Sequence, residues 1–263
     1  MHLTKSCHEK DHIKKRKTVK LATLEHYRRT ENHEISDASE GMLQLELNVT
    51  APTIVEHKWL NTIMQGAIHY GSPDATIRFP GVTNMEGENI VIRRHSERHC
   101  LLEKAKVSVQ RESLNSLIFC MSESLKEGDC REIFKGYDSE WSIPKENAED
   151  MSRILSQALM SRILDDSLQP IIQIPSDKSL KIIYSHMSVL YTDREILINH
   201  NNTGDFNKIL DHLEFTSFLK PRSYSHEREY RFNFLCVGSG GVIPYINDSV
   251  ILSVPEDFIS LIM

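Results

Sequence analysis

The 263-residue sequence has few cysteines, and none of them stands at the spacing of a metal or redox site. Cys7, Cys100, Cys120, Cys130 and Cys236 are odd in number and include no CxxC pair, which argues against a secreted disulfide scaffold. No apolar run approaches the roughly 18–20 residues that a membrane span needs, and the polar N-terminus has no signal-peptide pattern. We therefore expect a cytoplasmic protein without a membrane partner.

Glycine-rich phosphate motifs are also missing. Neither GxGxxG nor GxxxxGK[ST] occurs, so a Rossmann or P-loop nucleotide site is not indicated. The glycines of residues 238–241 follow a predicted strand and indicate a hairpin turn. His8 and His12 have the spacing of half a zinc site near Cys7, but no second Cys/His pair follows, so we predict no metal there.

The charge of the chain is nearly balanced overall and uneven locally. A net charge of -6, with 40% apolar and 26% charged residues, indicates a globular core and no global nucleic-acid footprint. Residues 1–30, however, carry nine Lys/Arg against three acidic residues. We predict a basic arm over residues 1–17, either solvated or in contact with RNA, DNA or an acidic partner, and a single domain over residues 18–263.

Alternation of apolar and polar side chains predicts more strands than helices. Two segments have helical spacing instead, and Asp205 is a plausible N-cap for the second. The strands do not alternate with helices as βαβ units would, so we predict an α+β fold of mostly antiparallel sheets with a few flanking helices. Strands are predicted at residues 19–24, 43–49, 89–93, 101–109, 116–121, 180–190, 195–199, 229–237 and 250–254, with a helix as the alternative for 101–109. Helices are predicted at about 148–168 and 206–218, and residues 26–41 are predicted to be a loop.

The segment of residues 224–232, YSHEREYRF, is the strongest candidate for chemistry. If residues 227–236 form a strand, Tyr230 and Phe232 lie on one face and Glu227, Glu229 and Arg231 on the other. Carboxylates at positions i and i+2 are then roughly 7 Å apart and attract a cation or a ribose hydroxyl. The alternative is an edge strand with an outer ladder of salt bridges.

Two further polar segments are candidates. Ser122 and Ser124 lie where the apolar strand of residues 116–121 ends, a common location for a site; an ordinary serine-rich turn is the alternative. The segment of residues 23–28 is followed by Glu31, Asp37 and Glu40. Its alternative is a solvated loop.

Several segments together resemble a known family. Residues 20–28 with 37–41, residues 119–122 and residues 220–232 look like an uncharacterised bacterial family linked to abortive infection. That family is in turn similar to the ADP-ribosyltransferase superfamily, which includes toxins that modify nucleic acids or proteins. The resemblance implies an ADP-ribosyltransferase-like fold, NAD as substrate and a role in phage defence as a toxin or effector.

The resemblance also implies roles for particular residues. Glu229 is expected to stabilise the oxocarbenium-like state formed as the nicotinamide–ribose bond breaks, and Glu227 to orient or deprotonate the acceptor; the two glutamates are interchangeable at this stage. Ser122 or Ser124 is expected to hold NAD and Glu229. The remaining expectations are a first-strand role for His26, Tyr27 or Arg28, and pairing of Arg28 or Arg231 with the pyrophosphate.

Two other functions stay open from the sequence. The expected partners of a transferase are a macromolecular acceptor, with RNA or DNA as candidates, and an antitoxin protein. A non-catalytic module would instead use the basic arm to bind nucleic acid or a partner, with the charges of residues 227–231 serving structure. A metal-dependent nuclease built on Glu227, Glu229 and Asp37 is the third possibility.

Overall fold

The structure, a computed structural model, describes residues 1–29, 38–72, 74–126, 128–175, 179–193, 195–202 and 206–263. Its strands are, in chain order, β1 His2–Cys7, β2 Thr18–Thr23, β3 Met42–Val49, β4 Thr53–Glu56, β5 Val82–Arg94, β6 His99–Glu112, β7 Leu117–Ser124, β8 Ser139–Pro144, β9 Lys181–Ser188, β10 Leu190–Thr192, β11 Glu195–Asn199, β12 Leu219–Pro221, β13 Glu229–Gly238, β14 Gly241–Val242 and β15 Ser249–Ser253. Its α-helices are α1 Ile13–Arg16, α2 Leu24–Arg29, α3 His57–Ile63, α4 Ala148–Ile163, α5 Phe206–Glu214 and α6 Glu256–Ile259.

The fold is α+β, as predicted. Strand residues outnumber helical ones, 42% against 24%, and the sheets are mostly antiparallel. The parallel pairing of β11 with β3 is an exception. No helix within the described ranges is both long and apolar enough to cross a membrane.

The chain divides into two compact units, whereas the sequence offered no reason to divide residues 18–263. Unit 1 comprises residues 1–40, 115–191 and 222–263, and unit 2 comprises residues 41–114 and 192–221. The reason is that each unit has its own sheet and its own buried apolar face. The chain passes between the units without a Pro/Gly/Ser-rich linker, so composition gave no signal of the division.

Unit 1 is built on an eight-stranded sheet. β7 lies inside it, with β13 along one edge and β1 and β2 along the other. Helix α4 covers one face, because its residues Met151, Leu155, Leu159 and Ile163 recur every four positions and are all buried. They pack in a cluster with the aromatic side chains of β13.

The predicted basic arm is part of this sheet, which corrects the assignment of residues 1–17 as an arm. β1 pairs antiparallel with β7 and with β8, and Leu3 is fully buried. This short strand has few apolar residues and is followed by many basic ones. The sequence therefore predicted a charged arm there and not a strand. Several of those basic side chains are ion-paired, Lys15 with Glu9 and Lys17 with Glu256 among them.

Unit 2 is a five-stranded sheet around β6. β5 runs along one edge of β6, while β3 and then β4 pair along the other. Alternate residues of β6, including Ala105, Val107 and Val109, are buried on one face. Helix α3 contributes the buried side chains Trp59 and Ile63 to this unit.

Most predicted elements are confirmed, with shifted ends. The predicted strands at residues 19–24, 43–49, 116–121 and 229–237 correspond to β2, β3, β7 and β13, and the turn at 238–241 joins β13 to β14. The two predicted helices end earlier, at Ile163 and Glu214. The predicted loop at residues 26–41 is wrong at its start, where α2 forms; residues 30–37 and Asp205 lie outside the described residues.

Candidate functional site

Strand β13, which carries the strongest sequence candidate, lies in the interior of the sheet of unit 1. It pairs with β7 from Glu229 to Phe234 and with β9 from Tyr230 to Val237, antiparallel in both cases. The alternative of an edge strand with an outer salt-bridge ladder is therefore wrong. Both faces of β13 are buried, so its charged side chains need partners inside the protein.

The charged face of β13 forms a buried ion cluster. Arg231 donates from Nε to Glu229 Oε1 at 2.8 Å and from Nη1 to Glu40 Oε1 at 2.7 Å, and its Nη2 lies 2.7 Å from Glu229 Oε1. Only 1% of Arg231, 5% of Glu229 and 3% of Glu40 is exposed. We call these three residues the Arg231 cluster.

The electrostatics of the cluster favour a fully ionised Arg231. Burial opposes the charge of its guanidinium, but Glu229 and Glu40 outweigh burial and hold the pKa of Arg231 well above its ordinary value. The guanidinium in turn fixes the position of the Glu229 carboxylate through two of its nitrogens. Glu229 is thus held rigidly on a strand rather than on a mobile loop.

Glu227 is not on the same strand, which corrects the predicted pair of carboxylates at i and i+2. It ends a 3-10 helix, Arg222–Glu227, and β13 begins only at Glu229. Arg228 between them has φ +49°, a left-handed conformation that breaks the strand alternation. Its guanidinium bonds Asp129 Oδ2 at 2.9 Å. Glu227 is buried, with 6% of its surface exposed. Because it lies outside β13, the two-residue period of a strand does not place its carboxylate beside that of Glu229.

The two candidate serines differ in their relation to Glu229. Ser122 is directly opposite Glu229 in the pairing of β7 with β13, and it is buried. Ser124 lies two residues further along, and its hydroxyl is 2.7 Å from the hydroxyl of Thr4 on β1. Ser122 is therefore the better placed of the two to contact Glu229, and the alternative of an ordinary turn is wrong because both residues belong to β7.

The remaining candidates, His26, Tyr27 and Arg28, lie on helix α2. Tyr27 is close to Glu229 and Arg231; burial first, and then its negative neighbours, raise the pKa of its phenol well above the ordinary value, so it remains protonated. The His26 ring packs edge-on against Tyr27 with centroids 5.7 Å apart. Arg28 donates from Nε to the backbone oxygen of Glu40 at 2.6 Å and so supports the residue that pairs with Arg231.

Glu40 is the member of the site that sequence reasoning did not identify individually. It stood among the polar residues after 23–28, where a solvated loop was the alternative. The fold instead places its carboxylate against Arg231, 191 residues away in sequence. The one sequence feature that could have identified Glu40 is that it lies in residues 37–41, a segment of the resemblance.

Cys120 lies on the same side of the sheet, opposite Arg231 in the pairing of β7 with β13. Burial is the main reason that the pKa of its thiol is raised far above the ordinary value, and the neighbouring Glu229 raises it further. Since the thiolate is the nucleophilic form, Cys120 is not a nucleophile at neutral pH. The same holds for Cys100, whose thiol pKa burial raises to about 11.

We expect a maleimide to label Cys120, which is partly exposed, more than about 100-fold more slowly in the folded protein than after unfolding in urea, because the raised pKa of its thiol suppresses thiolate formation. Peptide mass spectrometry after timed quenching would measure this at neutral pH. The unfolded chain is the control, since there all five thiols should react. Rapid labelling of Cys120 in the native protein would contradict this account of the site.

A second polar chain lies on the apolar face of β13. His186 of β9 has Nδ1 2.7 Å from the Tyr230 hydroxyl and Nε2 2.9 Å from Glu149 Oε2. The Tyr184 hydroxyl donates to the other oxygen of Glu149 at 2.7 Å. Burial, followed by Glu123 and Glu149, raises the pKa of Tyr230, so its phenol stays protonated. This chain ties the first turn of α4 to the sheet rather than supplying a nucleophile.

The metal-dependent nuclease finds no support in the described part of the chain. Within it, no group of three or more His, Cys, Asp or Glu side chains is arranged to hold a metal ion. Asp37, one of the three residues of that hypothesis, lies outside the described residues.

Comparisons of the chain with protein-family models, with curated proteins and with solved structures found no match.

Proposed function

We propose that this protein transfers ADP-ribose from NAD to a macromolecular acceptor. One observation carries the proposal: the three segments of the resemblance lie on adjacent strands of one sheet. β2, which leads into α2, pairs with β7, and β7 pairs with β13. The helix that carries His26, Tyr27 and Arg28 therefore follows a strand that pairs with the strand of Ser122, which in turn pairs with the strand of Glu229.

We further propose that the sheet of unit 1 is an ADP-ribosyltransferase-like fold. Its support is the antiparallel core of β2, β7 and β13 together with a buried carboxylate at the first residue of β13. The toxin or effector role in phage defence, and an antitoxin partner, rest on the resemblance.

The proposed reaction breaks the bond between nicotinamide and ribose and joins the ribose to a nucleophile of the acceptor. Positive charge develops on the ribose as nicotinamide leaves. The Glu229 carboxylate, held by Arg231, would stabilise that charge without reorganising. Glu227 would orient the acceptor or accept its proton, and nicotinamide would depart with the electron pair of the broken bond.

Arg28 and Arg231 are the two candidates for binding the NAD pyrophosphate, and they differ in how free they are to do so. Arg231 is committed to two carboxylates and has 1% of its surface exposed, so we assign the NAD pyrophosphate to Arg28 instead. Ser122, opposite Glu229, would position the nicotinamide ribose. Tyr27, which stays protonated, would donate a hydrogen bond or pack against the substrate.

A non-catalytic module is the second candidate, and the burial of the Arg231 cluster favours it. Buried ion clusters of this kind serve in some proteins to specify one packing arrangement. In that case Glu229 is a structural counter-ion of Arg231, equivalent to Glu40, and no NAD chemistry takes place.

The decisive experiment is to incubate the purified protein with NAD labelled in its adenylate phosphate and with total cellular RNA, DNA and protein as separate fractions. We expect label in one fraction and release of an equal amount of nicotinamide. If the protein neither binds NAD nor labels any fraction, the transferase proposal fails and the non-catalytic module stands.

A further inference from the structure

Unit 2 contains a cavity of about 680 Å³ beside the end of β6. This volume lies in the range of pockets that hold small organic ligands and cofactors. Polar side chains dominate the wall, among them Asn61, Gln65, His69 and Thr76, and two arginines, Arg78 and Arg111, belong to it. Among the residues that the structure describes, no Asp or Glu lines the cavity.

Arg111 of β6 stands at a position where the strand alternation predicts an apolar residue. Ala105, Val107 and Val109 occupy the buried face of β6, and Arg111 is the next residue in that alternation. It lies between Leu43 of β3 and Thr83 of β5 in the sheet, and 4% of its surface is exposed. A guanidinium on a core face is costly unless an anion or hydrogen-bond acceptors compensate it.

The protein compensates Arg111 only in part. Its Nη1 donates to the Thr83 hydroxyl, and its Nη2 donates to the backbone oxygens of Phe79 and Pro80. These bonds use three of the five N–H donors of a guanidinium. For its buried Nε–H, no protein acceptor lies within hydrogen-bond distance in the described ranges. Burial lowers the pKa of Arg111, and no carboxylate contributes to the shift.

Residues 61–72 and 74–81 give the cavity a fixed wall. The Asn61 side chain donates to the backbone oxygens of Tyr70 and Ala75 at 2.7 and 3.0 Å and accepts from the Tyr70 N–H at 2.9 Å. Gly81, with φ +130°, brings the chain against β6, because a Cβ there would lie 2.2 Å from the Glu112 backbone oxygen. The wall is therefore built by specific contacts rather than left by loose packing.

Arg78 adds a second positive charge at this wall. Its side chain is exposed, in contrast to the buried Arg111. Two guanidiniums without a carboxylate on the described lining produce a positive field, which a partly enclosed, low-dielectric site strengthens. Such a site selects anions with several oxygens, because guanidinium donors match the geometry of phosphate.

We propose that the cavity of unit 2 binds the phosphate group of a small molecule the size of a mononucleotide. Arg111 would bond the phosphate from the interior side through the second N–H of Nη1, which Thr83 does not use. Arg78 would pair with it from the exposed side. The polar lining of Asn61, Gln65 and Thr76 and the ring of Phe79 leave room for the rest of the ligand. The inference concerns unit 2 alone and does not depend on the transferase activity proposed for unit 1.

The test titrates the full-length protein with inorganic phosphate, pyrophosphate, AMP and adenosine in an isothermal calorimeter. To keep NAD chemistry out of the result, it uses the Glu229→Gln protein as well as the wild type. We expect binding of the phosphate-bearing compounds and no heat from adenosine. Equal affinity for phosphate and AMP would identify a phosphate-ion site, and tighter binding of AMP a nucleotide site; both support the proposal.

Two variants and one control locate the binding. Arg78→Glu should weaken AMP binding by at least about tenfold, since it replaces an attraction by a repulsion at an exposed position. Arg94→Glu makes the same charge change at an exposed residue of β5 outside the cavity, and it should alter affinity less than about twofold. Arg111→Lys should weaken binding while keeping the charge, because lysine lacks the fork of donors.

Either of two results would overturn the proposal. The first is the absence of binding by every phosphate-bearing compound at millimolar concentration. The second is equal loss of affinity in Arg78→Glu and Arg94→Glu, which would assign the effect to net charge. Should Arg111→Lys fail to fold, the comparison of Arg78→Glu with Arg94→Glu decides the question.

Discussion

Replacing Arg231 by methionine is expected to lower the free energy of unfolding by about 3–5 kcal/mol, the usual cost of removing one partner from a buried ion pair. The substitution leaves Glu229 and Glu40 buried, close together and without their shared counter-ion. Urea denaturation followed by circular dichroism measures the loss.

Two comparisons make this prediction specific. Arg228→Met removes an arginine three residues away whose partner, Asp129, is only partly buried, so its cost should stay below about 1 kcal/mol. Adding Glu40→Gln and Glu229→Gln to the Arg231→Met variant should recover at least half of the lost stability, since no buried charge then remains in the cluster. A loss of less than about 1 kcal/mol in Arg231→Met would show that the cluster is not the buried ion network described above.

Glu229→Gln is expected to reduce NAD-dependent labelling of the acceptor by about 10²–10³-fold, the range found when a group that stabilises transition-state charge is removed. The fold should survive, because Arg231 keeps its pairing with Glu40. The measurement is the initial rate of label transfer at saturating NAD. Unfolding in urea is followed in parallel.

Glu40→Gln is the matched comparison, because it makes the same chemical change on the other side of Arg231. If Glu229 stabilises the ribose, Glu229→Gln loses far more activity than Glu40→Gln at similar stability. If the two variants lose activity to the same extent and in proportion to stability, Glu229 acts only as a counter-ion. The protein is then better described as the non-catalytic module.

The secondary structure was largely predictable, because alternation along a strand and four-residue spacing along a helix are local properties. β3 and α4 follow from their apolar residues within one or a few positions. β1 was missed, since its six residues hold little apolar character and adjoin a basic run. Its burial comes from β7 and β8, which lie more than a hundred residues further along the chain.

The sequence brought forward Glu229 and Ser122 as candidates, but it gave neither the geometry of the site nor the role of Glu40 in it. The resemblance pointed to Glu229 and Ser122, which the pairing of β7 with β13 places opposite each other. Glu227 was assigned to the same strand because nothing local announces the left-handed Arg228. Glu40 was taken for part of a polar stretch, since its partner is far away in sequence.

Local sequence pattern therefore set the α+β class, the faces of β13 and the apolar side of β6, because side-chain direction alternates wherever a strand forms. Long-range pairing determined which charges on those faces became buried and what faces them. Arg231 received one carboxylate from its strand neighbour Glu229 and one from Glu40, 191 residues away, whereas Arg111 received hydroxyl and carbonyl oxygens and no carboxylate from the described residues. Each arginine stands in a predicted strand or next to one, and nothing in the local sequence distinguishes their partners. The partners differ because each arginine is buried against the residues that its own sheet brings together.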